Sequence, residues 1–385
     1  MLILLPWCLV KILNPIWFAT PAFIQTVVMC ATLFSLFYPY PTAAQSEGVY
    51  TVNNVKVDEI AESAAVAREV ALKLGQKEAY KRLMKRIVLV KDFPNLPELS
   101  GKQLVQLVSG VEVIEEKTSP VRYLAKFVVR FNPSAVRSYL RNAGLQFAET
   151  KSKAMIVLPL LRVQATLQLW DSGNFWLKAW RELPKSDGLI DLIVPKGETL
   201  DIADISPEQA VIGNGERIKS ISQRYGAAAA LLTVATIKNL QGKRIIELAT
   251  SWLSQGAIDR TSIKSLKNSK GQSLQRVLSI AAKHLRDEIE EDWKKDNLLR
   301  FGDNRELIAQ TDLRGLSDLI VLKNKLEANS FVQKAEIIRL SLNSALIRVQ
   351  YIGSPGQLSL SLSQRDIVLT QGAVYWKLQI ISQND

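Results

Sequence analysis

The chain has 385 residues, carries a formal net charge of +12 and contains one histidine and two cysteines. These counts exclude much familiar site chemistry. A Ser-His-Asp triad has only His284 to draw on, and zinc sites normally need several Cys and His ligands. Both cysteines, Cys8 and Cys30, fall in the first 46 residues, so the rest of the chain has neither disulfides nor thiolates and suits an oxidising compartment.

Residues 1–46 contain one charged side chain, Lys11, and the run IWFATPAFIQTVVMCATLFSLFY (16–38) is apolar almost throughout. That length is about what a helix needs to cross a bilayer, roughly 20 residues. Pro39 and Pro41 end it, and Thr42-Ala43-Ala44 places small residues where signal peptidase reads them, with cleavage between Ala44 and Gln45. The segment is thus an export signal: a cleaved signal peptide or a retained N-terminal membrane anchor. Its only charge is Lys11, so the body carries +11. A basic exported body points to acidic partners or an anionic membrane surface rather than to nucleic acid.

Three mixed α/β units in series are expected after the leader, over 47–150, 151–300 and 301–385. In the first, VYTVNNVKVD (49–58) reads as a strand and Glu59 to Val90 as a long helix. Ile60, Ala64, Ala67, Ala71 and Leu74 form one apolar face, which Ala79, Leu83 and Ile87 continue past Gly75. A short helix near 99–108, a hairpin turning at Thr118-Ser119-Pro120 and a helix opened by Asn132-Pro133 complete the order β-α-α-β-β-α.

The second unit has buried strands at 153–163, 189–195 and 227–237. It also has helices at 173–183, 207–212 and 215–225, further strand-like runs to 266, and a closing helix from Gln272 to Lys295. The third reads β-α-β-β-α-β, the ferredoxin-like order, with one or two strands at its end. The aromatic strand motif of RNA-recognition modules is missing from it.

The run YTVNNVKVDEIAESAAVAREVALKLGQKEAYKRLMKRIV resembles the start of the bacterial proteins grouped as DUF2066. LPLL, LWDSGNFWLKAW, LIVPKGETLDIADI, ISQRYGAAAALL, LRGLSDLIVLKNKL, VQYIG and VYWKLQI are similar to later parts of that family. The resemblance implies an exported envelope protein with no assigned activity, and it supplies no catalytic residues or cofactor.

Two sets of residues stand out as binding candidates. Lys73, Lys77, Lys81 and Lys85 recur every four residues on one helix face, with Arg82 and Arg86 widening the stripe. The bland reading is a solvated face opposite packed alanines; the sharper one is contact with anionic lipid or an acidic envelope partner. Trp170, Phe175, Trp176 and Trp180 cluster near the strand-end loop 195–204 with Asp201 and Asp204, which reads either as core packing or as a ligand pocket. An enzyme built on carboxylates alone would use Asp171, Asp201 and Asp204. Asp287, Glu288, Glu290, Glu291 and Asp292 read as a solvated helix end paired with Lys294 and Lys295. The leading expectation is a non-enzymatic exported scaffold or adaptor, without cofactor or metal. The alternative is a periplasmic ligand-binding protein with its site at Trp176, Trp180 and the 195–204 loop.

Overall fold

A computed structural model describes residues 48–240, 243–254, 257–267, 273–299 and 304–381. The export segment, both cysteines and the Ala44/Gln45 cleavage site lie outside the described residues. No helix among the described residues is long and apolar enough to cross a membrane. The protein is of mixed α/β class, with three sheets.

The first sheet comprises β1 (Thr51–Ile60), β2 (Val108–Thr118) and β3 (Arg122–Phe131), all antiparallel in the order β1-β3-β2. Helix α1 (Ala64–Ile87) lies across it, and the short α2 (Gly101–Leu107) and α3 (Pro133–Asn142) follow in the foreseen order. Strand β1 runs two residues further than its sequence pattern suggests. Ile60 therefore stays in the strand and is exposed instead of opening the helix. Helix α1 begins only after Ser63, whose side chain accepts from the Val66 amide.

Ala67, Ala71, Gly75, Ala79, Leu83 and Ile87 are buried along α1, at a strict four-residue spacing. Small side chains let the helix lie close on the sheet. At Gly75 the approach is closest: a Cβ there would stand 2.7 Å from Phe127 Cδ2 and 3.2 Å from Val57 Cγ1. Leu74 points outward, against the expectation that placed it on the packed face.

The second sheet is mixed. Its strands are β4 (Met155–Val163), β5 (Thr166–Gln168), β6 (Leu192–Ile193), β7 (Ala229–Leu240), β8 (Lys243–Ser254) and β9 (Ala257–Lys267). The path is β5-β4-β7-β8-β9, with β4 parallel to β7 and β6 also pairing β4. Helices cover both faces, which is why β4 reads as an unbroken apolar run. On one face α4 (Phe175–Arg181) and α8 (Leu274–Asp296) pack around Trp176, Trp180, Leu278 and Ala282. On the other, α5 (Thr199–Asp204), α6 (Pro207–Val211) and α7 (Gly215–Arg224) enclose Ile205, Ala210, Ile218 and Ile221.

The third sheet holds β10 (Asn304–Asp312), β11 (Val332–Leu340), β12 (Ser344–Ile352), β13 (Ile367–Thr370) and β14 (Trp376–Ile380), with helices α9 (Leu316–Glu327) and α10 (Pro355–Ser363). Its order is β11-β12-β10-β14-β13. The elements through α10 follow the ferredoxin-like order, but the strand beside β10 runs parallel to it, because the final β13–β14 hairpin folds β14 into that place. Both strands foreseen at the end are present.

One hydrophobic core serves the first and third sheets together. It runs from Val52, Phe127 and Leu140 through Phe147 and Leu299 to Leu307, Phe331 and Ile347. Phe147 bridges Val88 on one side and Leu299 on the other. The described residues form one compact unit.

Replacing Gly75 by alanine tests the close approach of α1. Alanine gains about 1 kcal/mol of helix propensity but forces the Phe127 ring aside, an overpacking cost of about 1–3 kcal/mol. Chemical denaturation of Gly75→Ala should show a net loss of about 1 kcal/mol. A more stable variant would mean that the helix has room to spare.

Candidate functional site

Lys73, Lys77, Lys81 and Lys85 are all exposed on α1, as their spacing requires. Lys73 pairs with Glu69 at 2.6 Å. Lys77, Lys81 and Lys85 form no ion pair among the described residues. The two arginines do not widen this stripe. Arg82 forms an ion pair with Asp187 and donates to the carbonyls of Asn53 and Asn54. Arg86 is buried and donates to the carbonyls of Val49, Thr51 and Asp187. Both side chains fasten α1 to β1 and to the 184–188 loop, because their four-residue register turns them toward β1 while the lysines face water.

The outer face of α1 carries a second feature. Val66, Val70 and Leu74 are 42, 37 and 43% exposed at i, i+4 and i+8. Lys77, Lys81 and Lys85 stand on the neighbouring row of the same outer face, while the next step of the apolar row itself is the exposed Glu78. That face is therefore apolar over its first half and mainly basic over its second. Sequence reasoning assigned Leu74 to the core and so missed the apolar half; the signal was the second four-residue repeat, Val66-Val70-Leu74, beside the alanine one.

The tryptophan cluster divides between two faces of the second sheet. Trp176 and Trp180 meet edge-to-face, with ring centroids 5.8 Å apart, buried beneath α8. Trp176 Nε1 donates to the Thr233 carbonyl, and Asn174 caps α4 by accepting from the Trp176 and Leu177 amides. Phe175 points outward. Trp170 belongs to the opposite face and donates to the Ile205 carbonyl. Trp180 borders a cleft of about 400 Å³ with Arg181 and Val194, from which Trp170, Trp176 and Asp201 are absent. The four side chains therefore share no pocket.

Asp201 is fully buried and satisfies a helix end. It accepts from the amides of Gly197 and Glu198, from Tyr225 Oη at 3.0 Å and from Arg224. Burial opposes its charge, but the Arg224 hydrogen bond and the backbone amides prevail and hold its pKa below the ordinary aspartate value. Arg224 also binds Asp204 at 2.7 Å, so one guanidinium ties down both carboxylates. Asp171 accepts from the Leu169 amide in its own turn. The loop expected at 195–204 holds α5 over Thr199–Asp204, which Asp201 helps to cap.

The acidic run at the end of α8 is not simply solvated. Asp287 pairs with Lys283 and Glu288 with Lys264, while Glu291 and Asp292 pair at i,i+3 with Lys294 and Lys295. Glu291 also accepts from the Val90 amide at 3.2 Å. Glu290 turns inward and accepts from Ser186 Oγ and the Leu189 amide. Burial pushes its pKa up, against these hydrogen bonds and the field of Lys294. His284 is an exposed residue of α8.

Lys294 completes this joint. Its side chain is 2% exposed, and its ammonium donates to the carbonyls of Lys85 (3.1 Å) and Val88 (2.7 Å). The last carbonyls of a helix lack partners within it and carry the negative end of its dipole. A buried ammonium on them satisfies both sides. Beside it a cleft of about 620 Å³, lined by Lys85, Arg86, Arg286 and Glu290 among others, separates the end of α1 from the 184–188 loop.

No protein-family model matches the chain, and no curated protein matches its sequence. Among solved structures, it is similar in part to the PelC dodecamer from Paraburkholderia phytofirmans, at 9% identity and TM-score 0.23, over 37% of this chain and 89% of that one. It is similar to lipoprotein GNA1162 from Neisseria meningitidis at 14% identity and TM-score 0.26, over 36% and 97%. The LpoB C-terminal domain from Salmonella enterica aligns at 15% identity and TM-score 0.22, over 34% and 93%. Likenesses at these scores define no function.

Two variants test the joint. Lys294→Met keeps the stem but strips the carbonyls of their donor, and it should cost about 2–4 kcal/mol in equilibrium unfolding. Glu290 has a folded pKa above its unfolded value, so its contribution is full below about pH 4.3 and falls as pH rises through the raised folded pKa. Glu290→Gln keeps an acceptor for Leu189 and removes that loss. The variant's stability relative to the parent should therefore increase with pH over this range; an unchanged difference between the two pH profiles refutes the assignment.

Proposed function

We propose that the protein is exported to the bacterial cell envelope and works there by contact rather than by catalysis, as a scaffold or adaptor for an envelope protein. The observation that carries this reading is the outer face of α1, with Val66, Val70 and Leu74 half exposed and Lys77, Lys81 and Lys85 unpaired among the described residues. Covering three such side chains gains roughly 1 kcal/mol each, and the lysines add attraction for an acidic surface. The partner that fits is a protein face with an apolar strip running into carboxylates. The apolar leader, the small residues before Gln45 and the cysteine-free body support an exported location.

The carboxylates singled out for an enzyme are held in structural bonds, Asp201 and Asp204 by one arginine and Asp171 within its turn. The likeness to DUF2066 proteins, exported and without assigned activity, points the same way.

The test uses the full chain in its native envelope, with a photo-crosslinking residue in place of Val70. A discrete protein adduct should form and should weaken at least tenfold in Lys77→Glu/Lys81→Glu. Adducts to lipid alone, or a protein adduct unaffected by the charge reversal, would rule this docking face out.

A further inference from the structure

A small cavity of about 70 Å³ opens where the three parts of the body meet. Its walls come from Tyr50 and Arg137 of the first part, from the 149–153 connection into β4, and from the end of α10 in the third. Room for a single water needs about 10–15 Å³ on such a measure, so several waters or one small polyatomic ion can be held.

The charge around it is lopsided. Arg137, Lys151, Lys153 and Arg365 line it against one carboxylate, Glu149. Glu149, with its side chain 2% exposed, is already bound by Tyr50 Oη and by Arg137 Nε at 3.0 Å. Lys153 is bound to Asp366 at 2.7 Å. Two cations remain. Lys151 and the half-buried Arg365 have no hydrogen-bonded or ion-paired side-chain partner among the described residues, although Arg365 feels the field of Glu149. A half-buried guanidinium with no protein acceptor among the described residues presents a fork of N–H donors that matches an oxyanion. The hydroxyls of Thr150, Ser330 and Ser361 line the same space.

We propose that this cavity binds a small phosphate-type oxyanion, held chiefly by Arg365 and Lys151, which ties α10 to the connection between the first and second sheets. Such an anion would give the exposed Lys151 and the half-buried Arg365 an acceptor that no side chain among the described residues supplies. Because its ligands come from segments more than 200 residues apart, its binding should stabilise the folded body as a whole.

The experiment is thermal unfolding of the full-length protein in detergent, titrated with inorganic phosphate and, separately, with glycerol 3-phosphate as a soluble lipid-headgroup probe. Sodium chloride at matched ionic strength is the control. A saturable rise in Tm of several degrees with either phosphate, absent with chloride, is expected. Saturation by inorganic phosphate assigns a free anion; a response to glycerol 3-phosphate alone assigns a headgroup. The rise should fall by at least half in Arg365→Gln and in the more exposed Lys151→Gln, the latter serving should Arg365→Gln fail to fold. No rise with either phosphate, a rise matched by chloride, or an undiminished rise in Lys151→Gln would overturn the proposal.

Discussion

The body is organised around an ammonium group removed from water. Lys294 can be buried because the carbonyls of Lys85 and Val88 and the carboxylate of Glu291 receive it, and those carbonyls are available because α1 ends there. That pairing fixes the end of α8 against the end of α1. Arg86 then holds the same turn of α1 to Val49, Thr51 and Asp187, and Glu291 and Glu290 reach Val90 and Leu189 from the α8 side. Next to Lys294, Trp293 Nε1 donates to the Thr150 carbonyl, and beyond the helix Leu299 pairs with Phe147, so the 147–150 stretch is held at the same place. With the inner and terminal cations of α1 committed to this joint, the lysines facing water are the ones left for a partner.

The two faces of α1 do different work with the same spacing. Alanines and Gly75 at every fourth position allow the helix to sit on Phe127 and Val57. Two other registers, one carrying Val66, Val70 and Leu74 and the other the lysines, face away from the sheet. The structural and the interactive halves of the helix can therefore be altered separately.

Much of the fold was legible because its signals are periodic or punctuated. The order β-α-α-β-β-α, the unbroken run of β4 and the proline-opened helix α3 all follow from local chemistry. The departures are tertiary. Arg82 and Arg86 carry the same charge as their lysine neighbours, and only the position of β1 decides that they turn inward. Asp201 looked like a loop acid because nothing local shows that Arg224 and Tyr225 will close on it. Trp170 and Trp176 stand six residues apart and end on opposite faces of one sheet, because the chain turns between them at 171–174 before Asn174 caps α4.

The core shared by the first and third sheets has a temporal side. Phe127, Leu140 and Phe147 share one core with Leu307, Phe331 and Ile347, which are made later. A chain made amino end first carries that apolar surface uncovered until the third sheet follows. Contacts at such sequence separation close slowly, and an open apolar face in the interval invites aggregation. Addition of the third sheet, rather than completion of the first, is thus the event that closes this core.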